Sequence, residues 1–198
     1  MRVTIFDYGA GNLHSLAKAV RPAASELIVE EDPERAVNTD VLVLPGVGAF
    51  SSAARRLRSG RVAMRDALLA GLPCLGICLG MQLLMDDSEE GDGQGLGVIT
   101  GSVTRLRTAR VPQIGWNEVS AGDDPVFDNA PLGVAYFANS FVCRPVDESR
   151  VVAWSTHEND RFPAAMRAGN VVGVQFHPEK SSGAGVAFIR AFIEQARA

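Results

Sequence analysis

The residues of this chain best suited to chemistry centre on Cys78. It lies in Gly76-Ile77-Cys78-Leu79-Gly80, with a glycine two residues to either side. The apolar run 72–75 precedes it and Met81-Gln82-Leu83-Leu84 follows. That pattern reads as a nucleophile elbow, in which a buried strand ends, the chain turns sharply and a helix begins with the thiol at its amino end. The glycines suit such a turn, because it strains the backbone and brings strand and helix too close for intervening side chains. Helix amino termini favour anions and offer free N–H groups, so the elbow supplies a nucleophile and, through the Leu79 amide, one donor to an oxyanion.

A cysteine nucleophile needs a base near its sulfur and a group that orients the base. The chain has three histidines, His14, His157 and His177. His177 ends the apolar run 171–176 and is followed by Pro178 and Glu179. Open α/β sheets place ligands at strand carboxyl ends, and the elbow lies at one too, so Cys78 and His177 can converge on one rim. Proline stops the strand after His177, and Glu179 is near enough to take a hydrogen bond from the second ring nitrogen. Taken alone, a histidine at a strand end is an ordinary satisfied polar residue. The combination with the elbow makes it a candidate base.

Pro45-Gly46-Val47-Gly48 also follows a buried strand. Its glycines let backbone approach a ligand, and an amide of Val47 or Gly48 is the candidate second oxyanion donor. Gln82, one helical turn beyond Cys78, faces the thiol's side and is a candidate to hold a polar substrate; otherwise it is a solvent-facing helix residue. Gly9-Ala10-Gly11 resembles the start of a dinucleotide fingerprint, but His14 stands where the third glycine belongs, which argues against a nucleotide there.

These groups need a scaffold, and the chain supplies an alternating one. Strands are expected at 2–7, 27–30 and 41–44 and from residue 72, separated by helices reaching about residue 20, near Pro33, over 50–57, over 62–69 and after the elbow. Such alternation predicts a parallel sheet covered on both faces. From residue 97 the pattern turns to shorter β segments, at 97–106, 111–119, 134–141, 151–156, 164–168 and 171–176, which look more antiparallel. Loops are expected at 120–131 and 157–161, a surface loop at 88–95 on the seam between the two halves, and a closing helix at 185–198.

Length and composition fit this picture. The 198 residues, 46% hydrophobic, suffice for one full core and a single domain over 1–198. Net charge is −4, with charged residues of mixed sign and no basic cluster, which argues against nucleic acid. Neither a signal-peptide core nor a membrane-length apolar stretch is visible, so a cytoplasmic protein is expected. Cys74, Cys78 and Cys143 are odd in number and lack CxxC spacing, so no disulfide framework, metal site or cofactor is expected.

Together, 45–50 (Pro-Gly-Val-Gly-Ala-Phe), 76–82 (Gly-Ile-Cys-Leu-Gly-Met-Gln) and 173–181 (Gly-Val-Gln-Phe-His-Pro-Glu-Lys-Ser) resemble the class I glutamine amidotransferases. Within that class, Asp7-Tyr8-Gly9-Ala10-Gly11-Asn12, Pro112-Gln113-Ile114-Gly115-Trp116-Asn117 and Tyr136-Phe137 with Ser140 make the chain similar to the glutaminase subunits of imidazole glycerol phosphate synthase. The resemblance spans nearly the whole chain. It implies a flavodoxin-like open sheet with a smaller antiparallel portion, and hydrolysis of L-glutamine through a Cys78 thioester with His177 and Glu179. It also implies an oxyanion hole from Leu79 and the Val47-Gly48 loop, and glutamine contacts at Gly48, Gln82 and Ser140. Asn12, Ser15, Trp116, Asn117 and Lys180 would face a cyclase subunit, in a heterodimer that passes ammonia on for histidine biosynthesis.

The chain departs from the family at Ala138-Asn139-Ser140-Phe141, where Val-His-Ser/Thr-Tyr is usual. Asn139 stands for a histidine and Phe141 for a tyrosine. Other readings stay open on sequence alone: a glutaminase serving another synthase, such as the pyridoxal phosphate system, a non-catalytic binding module, or a cysteine peptidase on the same shell. The Pro45-Gly46-Val47-Gly48 and Gly115-Trp116-Asn117 stretches count against the first, and the intact Cys78, His177 and Glu179 set counts against the second.

Overall fold

The computed structural model describes residues 1–9 and 13–197. The first half alternates as its periodicity predicts: β1 (Arg2–Phe6), α1 (His14–Val20), β2 (Glu26–Glu30), α2 (Pro33–Ala36), β3 (Val41–Leu44), α3 (Phe50–Leu57), α4 (Arg61–Leu69), β4 (Cys74–Ile77) and α5 (Leu79–Gln82). The second half contains β5 (Asp87–Ser88), β6 (Gly101–Arg105), β7 (Gln113–Glu118), β8 (Ser120–Ala121), α6 (Pro125–Asn129), β9 (Val134–Asn139), β10 (Phe141–Pro145), β11 (Val151–His157), β12 (Asp160–Ala168), β13 (Val171–Val174) and α7 (Ser182–Gln195).

One eight-stranded sheet runs β2-β1-β3-β4-β13-β12-β11-β8, with β5, β6 and β10 in a three-stranded sheet and β7 paired with β9. The pairs among β2, β1, β3, β4 and β13 are parallel. This gives the flavodoxin-like order, with the chain's last strand taking the fifth place. Strands β3, β4 and β13 are buried throughout because they are covered on both sides. Val41, Val43, Leu75 and Ile77 pack with α1 and α7, whereas Leu42, Leu44 and Cys74 pack with α2, α3 and α4, as the two-residue alternation of a strand requires.

Five details depart from the sequence reading. The antiparallel strands β12, β11 and β8 extend the main sheet instead of building a separate half. The strand expected over 97–106 begins only at Gly101, because the amides of Gly97 and Val98, with that of Leu96 before them, bond back to the carbonyls of Met85, Leu84 and Leu83, satisfying the turn that follows α5. The segment 120–131 is not a plain loop, because the Asp124 carboxylate accepts from the Val126 amide and Pro125 starts α6. Residues 157–161 close a tight β11–β12 hairpin with His157 opposite Asp160. Phe141 opens β10, paired with β6, and does not end the preceding strand.

Candidate active site

At the end of β4 the backbone of Cys78 takes φ 46° and ψ −102°, a conformation costly for any residue with a side chain. Its neighbours hold it there: the Cys78 amide donates to the Val174 carbonyl at 2.7 Å, and the Cys78 carbonyl accepts from the Gln82 amide at 3.1 Å. The flanking glycines are packing requirements. A Cβ on Gly76 would lie 2.7 Å from the Gly80 carbonyl oxygen, and one on Gly80 would overlap the Leu44 carbonyl. Strand, elbow and helix thus meet backbone to backbone. Leu79 is the first residue of α5, so its amide has no acceptor within that helix.

Parallel pairing of β13 with β4, Val174 opposite Ile77, carries the chain beyond β13 alongside the elbow. Phe176 anchors that chain in the core, its ring 5.9 Å from Phe137 and 5.6 Å from Phe188. The His177 amide then donates to the Tyr136 carbonyl at 2.8 Å, while the Ser181 hydroxyl donates to the His177 carbonyl at 2.7 Å and accepts from the Tyr136 amide at 2.9 Å. With its backbone fixed in this way, His177 pairs Nδ1 with Glu179 Oε1 at 2.8 Å. The imidazole is left to interact with the Cys78 side chain, which supports its charged form.

Cys78 is 7% exposed and His177 2%. Burial opposes the imidazolium, but hydrogen bonds to Cys78 and Glu179, with the charges of both, outweigh it and push His177 up to about 9. A raised imidazole beside a thiol suits proton transfer to a leaving group near neutral pH.

The thiol opens on a cavity of about 340 Å³, lined by Val47, Gly48, Leu79, Gln82, Ser140 and Lys180 among others. Gly48 has φ +114°, which favours glycine. A Cβ on Gly46 would come within 2.9 Å of His177 Cε1 and 3.1 Å of Cys78 Cβ. Gln82 is buried; Nε2 donates to the Phe141 carbonyl at 3.1 Å and faces Gln175 Oε1 at 3.4 Å, so the solvent-facing alternative does not hold.

Among the residues expected at a partner, Lys180 is exposed at the cavity rim and Ser15 is exposed on α1. Trp116, 56% exposed, shares the outer face of the β7–β9 pair with Ile114, Tyr136 and Val134. Asn117 lies on the opposite face, its side-chain amide donating to the Thr156 carbonyl at 2.9 Å. Asn12 falls outside the described residues, as do two residues of the Gly9-Ala10-Gly11 turn.

Two cavity or thiol neighbours, Glu90 and Gln175, escape sequence reasoning, and a third, Asn139, is marked in the sequence only as a departure from the family. Glu90, which accepts the Phe50 amide at 2.9 Å, comes from what reads as a plain acidic loop. Asn139 donates to the Phe141 carbonyl at 3.1 Å. Gln175, whose Nε2 lies 3.4 Å from Cys78 Sγ, is signalled only as a polar residue in an apolar strand. Among the described residues no group of His, Cys, Asp and Glu converges as a metal site.

The family model "Glutamine amidotransferase class-I" matches residues 4–196. An imidazole glycerol phosphate synthase subunit HisH from Acaryochloris marina is 41% identical, covering 99% of this chain and 95% of its own. The chain belongs to the class I glutamine amidotransferases, in the HisH family. A second HisH subunit, from Methanothermobacter thermautotrophicus, is 39% identical over 99% of this amidotransferase and 100% of its own length. At the level of fold, the structure of PurLQS from Thermotoga maritima matches with a TM-score of 0.74 and 22% identity, covering 100% of this chain and 99% of that one. Among the described residues no helix is long and apolar enough to cross a membrane.

Proposed function

We propose that this HisH-family amidotransferase hydrolyses L-glutamine with Cys78 as nucleophile, His177 as proton carrier and Glu179 as its orienting group. The observation that carries the reading is an elbow thiol sharing one polar cavity with a buried imidazole whose Nδ1 is 2.8 Å from a carboxylate. The Cys78 thiolate attacks the side-chain amide carbon, and the oxyanion formed takes hydrogen bonds from the Leu79 amide and an amide of the Val47-Gly48 loop. One such donor is worth roughly 3 to 4 kcal/mol. His177 protonates the amide nitrogen, ammonia departs and a thioester remains.

The causes of the His177 shift explain how one residue serves both halves. Once Cys78 is a thioester, its hydrogen bond and charge no longer support the imidazolium, and burial again opposes it. His177 can then take a proton from water, which attacks the thioester and releases glutamate while sulfur regains its electron pair. Gly48 and Ser140 line the cavity toward the substrate's far end, where the Glu90 carboxylate matches an α-ammonium. That match favours a free amino acid over a peptide.

HisH relatives are named as subunits of imidazole glycerol phosphate synthase. The finer proposal is that a cyclase subunit caps the cavity to form a heterodimer, receives ammonia without loss to bulk water, and makes imidazole glycerol phosphate and aminoimidazole carboxamide ribotide. The exposed apolar face bearing Ile114, Trp116 and Val134, with Lys180 at the rim, supports docking there. Glutamate release measured with and without the cyclase and its nucleotide tests this. Slow release alone and strong stimulation by the pair are expected, and stimulation by a different synthase would overturn the partner assignment.

A further inference from the structure

The thiol has a second polar neighbour besides His177. Gln175 is fully buried, its backbone amide held by the Ala164 carbonyl at 2.9 Å, and its side-chain Nε2 lies 3.4 Å from Cys78 Sγ. The orientation of that amide is set from outside. The Phe141 carbonyl can only accept, so Gln82 must present Nε2 to it, at 3.1 Å. The second hydrogen of the same Nε2 then faces Gln175, which must answer with Oε1, at 3.4 Å. Gln175 is thereby left with its N–H groups toward sulfur. The Phe141 carbonyl thus dictates, through two glutamines, that the thiol sees a donor.

We propose that Gln175 is a catalytic residue that holds the Cys78 thiolate by a donated hydrogen bond, with Gln82 and the Phe141 carbonyl as its positioning partners. This rests on the glutaminase reading for its consequence, though not for the contact itself. Sulfur in a thiol is a weak acceptor, whereas a donor to a thiolate gains from its charge. The bond therefore favours the charged nucleophile over the resting thiol. It weakens when sulfur becomes part of a thioester and returns on deacylation, as the bond between sulfur and the acyl carbon breaks and the electron pair stays on sulfur. Gln175 acts on both the entry to the covalent intermediate and the departure from it. Because it does not line the cavity, it should leave glutamine affinity alone.

Gln175→Met keeps the length and removes the donor. The expected result is a kcat about 10- to 100-fold lower in the cyclase-bound enzyme, with KM for glutamine nearly unchanged, as for loss of a hydrogen bond to a charged group. Alkylation of Cys78 by iodoacetamide in the isolated subunit at neutral pH should slow by about tenfold. That second readout involves neither glutamine nor the cyclase, so it stands even where the glutaminase reading fails. If Gln175→Met does not fold, Gln82→Met frees the Gln175 amide to turn away, and alkylation should slow by roughly threefold, the smaller loss expected when the donor is misaimed but not removed. Alkylation at the parental rate in a folded variant overturns the proposal, as does a raised KM with unchanged kcat in Gln175→Met.

Discussion

The amide of Cys78 donates to the carbonyl of Val174 at 2.7 Å, which ties the proposed nucleophile to the strand that leads to His177, its proposed base. The pairing of β4 with β13 brings Cys78 and His177 to one rim, and the Tyr136 carbonyl and Ser181 hydroxyl then hold the His177 backbone there. Catalytic geometry built on central strands resists small displacements, and misplacement by an ångström can cost two orders of magnitude in rate. Substitutions within this frame measure how tightly it is drawn.

Gly46 is the frame's narrowest point. Alanine there would place a Cβ 2.9 Å from His177 Cε1 and 3.0 Å from Ile77 Cγ2, so the imidazole must move. Gly46→Ala should lower kcat by about 100-fold while costing only about 1 to 3 kcal/mol of stability. Steady-state glutaminase assays and urea melts of the same preparation check the two effects separately.

Glu179→Gln removes a charge that supports the His177 imidazolium and exchanges an acceptor for an amide that can present the wrong group to Nδ1. The His177 titration midpoint, followed by NMR of the ring protons, should fall below about 9. Turnover should drop by about 10²- to 10⁴-fold, by comparison with the orienting acid of serine hydrolases.

The raised imidazole also sets a pH dependence of stability. Unfolded His177 loses its proton near the ordinary 6.5, whereas folded His177 keeps it to about 9. Between those values the folded chain binds more protons, so this contribution is complete below the lower value and is lost as pH rises through the upper one. Thermal melts of the parent should show a component of destabilisation between pH 6.5 and about pH 9 that His177→Gln lacks.

Asp124 is almost fully buried beneath the sheet, accepting from Arg167 Nη2 at 2.8 Å and from the Val126 amide at 3.0 Å. Asp124→Ala leaves Arg167 without its partner and α6 without its cap, at a cost of about 3 kcal/mol. Arg167 reaches some solvent, which holds the cost to that level. Glutaminase activity well below the melting temperature should be unchanged, because Asp124 does not line the cavity.

On the outer face of the β7–β9 pair, Trp116 packs edge-on against Tyr136 with ring centroids 6.2 Å apart. Trp116→Ala should weaken cyclase binding by about 2 kcal/mol or more, as expected for an aromatic anchor. Calorimetric titration checks the affinity, and an unchanged melting temperature of the free subunit separates lost docking from lost folding.

A residue's chemistry is legible in the sequence where it depends on immediate neighbours. Strands β3, β4 and β13 are continuous apolar runs, and the structure buries them on both faces. Cys78 announces itself through Gly76 and Gly80, and Glu179 follows His177 closely enough to pair with it. What stayed hidden depends on pairing between distant segments. Gln175 meets Cys78 only because β13 lies beside β4, and Glu90 reaches the cavity only because its carboxylate caps α3 at Phe50. The departures at 139 and 141 show the same limit. The hydrogen-bonded relay uses the Phe141 backbone carbonyl, which any residue supplies, and Asn139 donates to that same oxygen. Residues 97–99 look like strand by composition, yet their amides are committed to the turn after α5.

Glutamine hydrolysis by the parent and by Cys78→Ala, each mixed with the cyclase and its nucleotide, tests the central claim most directly. Stimulated glutamate release by the parent and none above background by the variant is the predicted result. Undiminished turnover in Cys78→Ala would contradict the assignment of the elbow thiol as nucleophile.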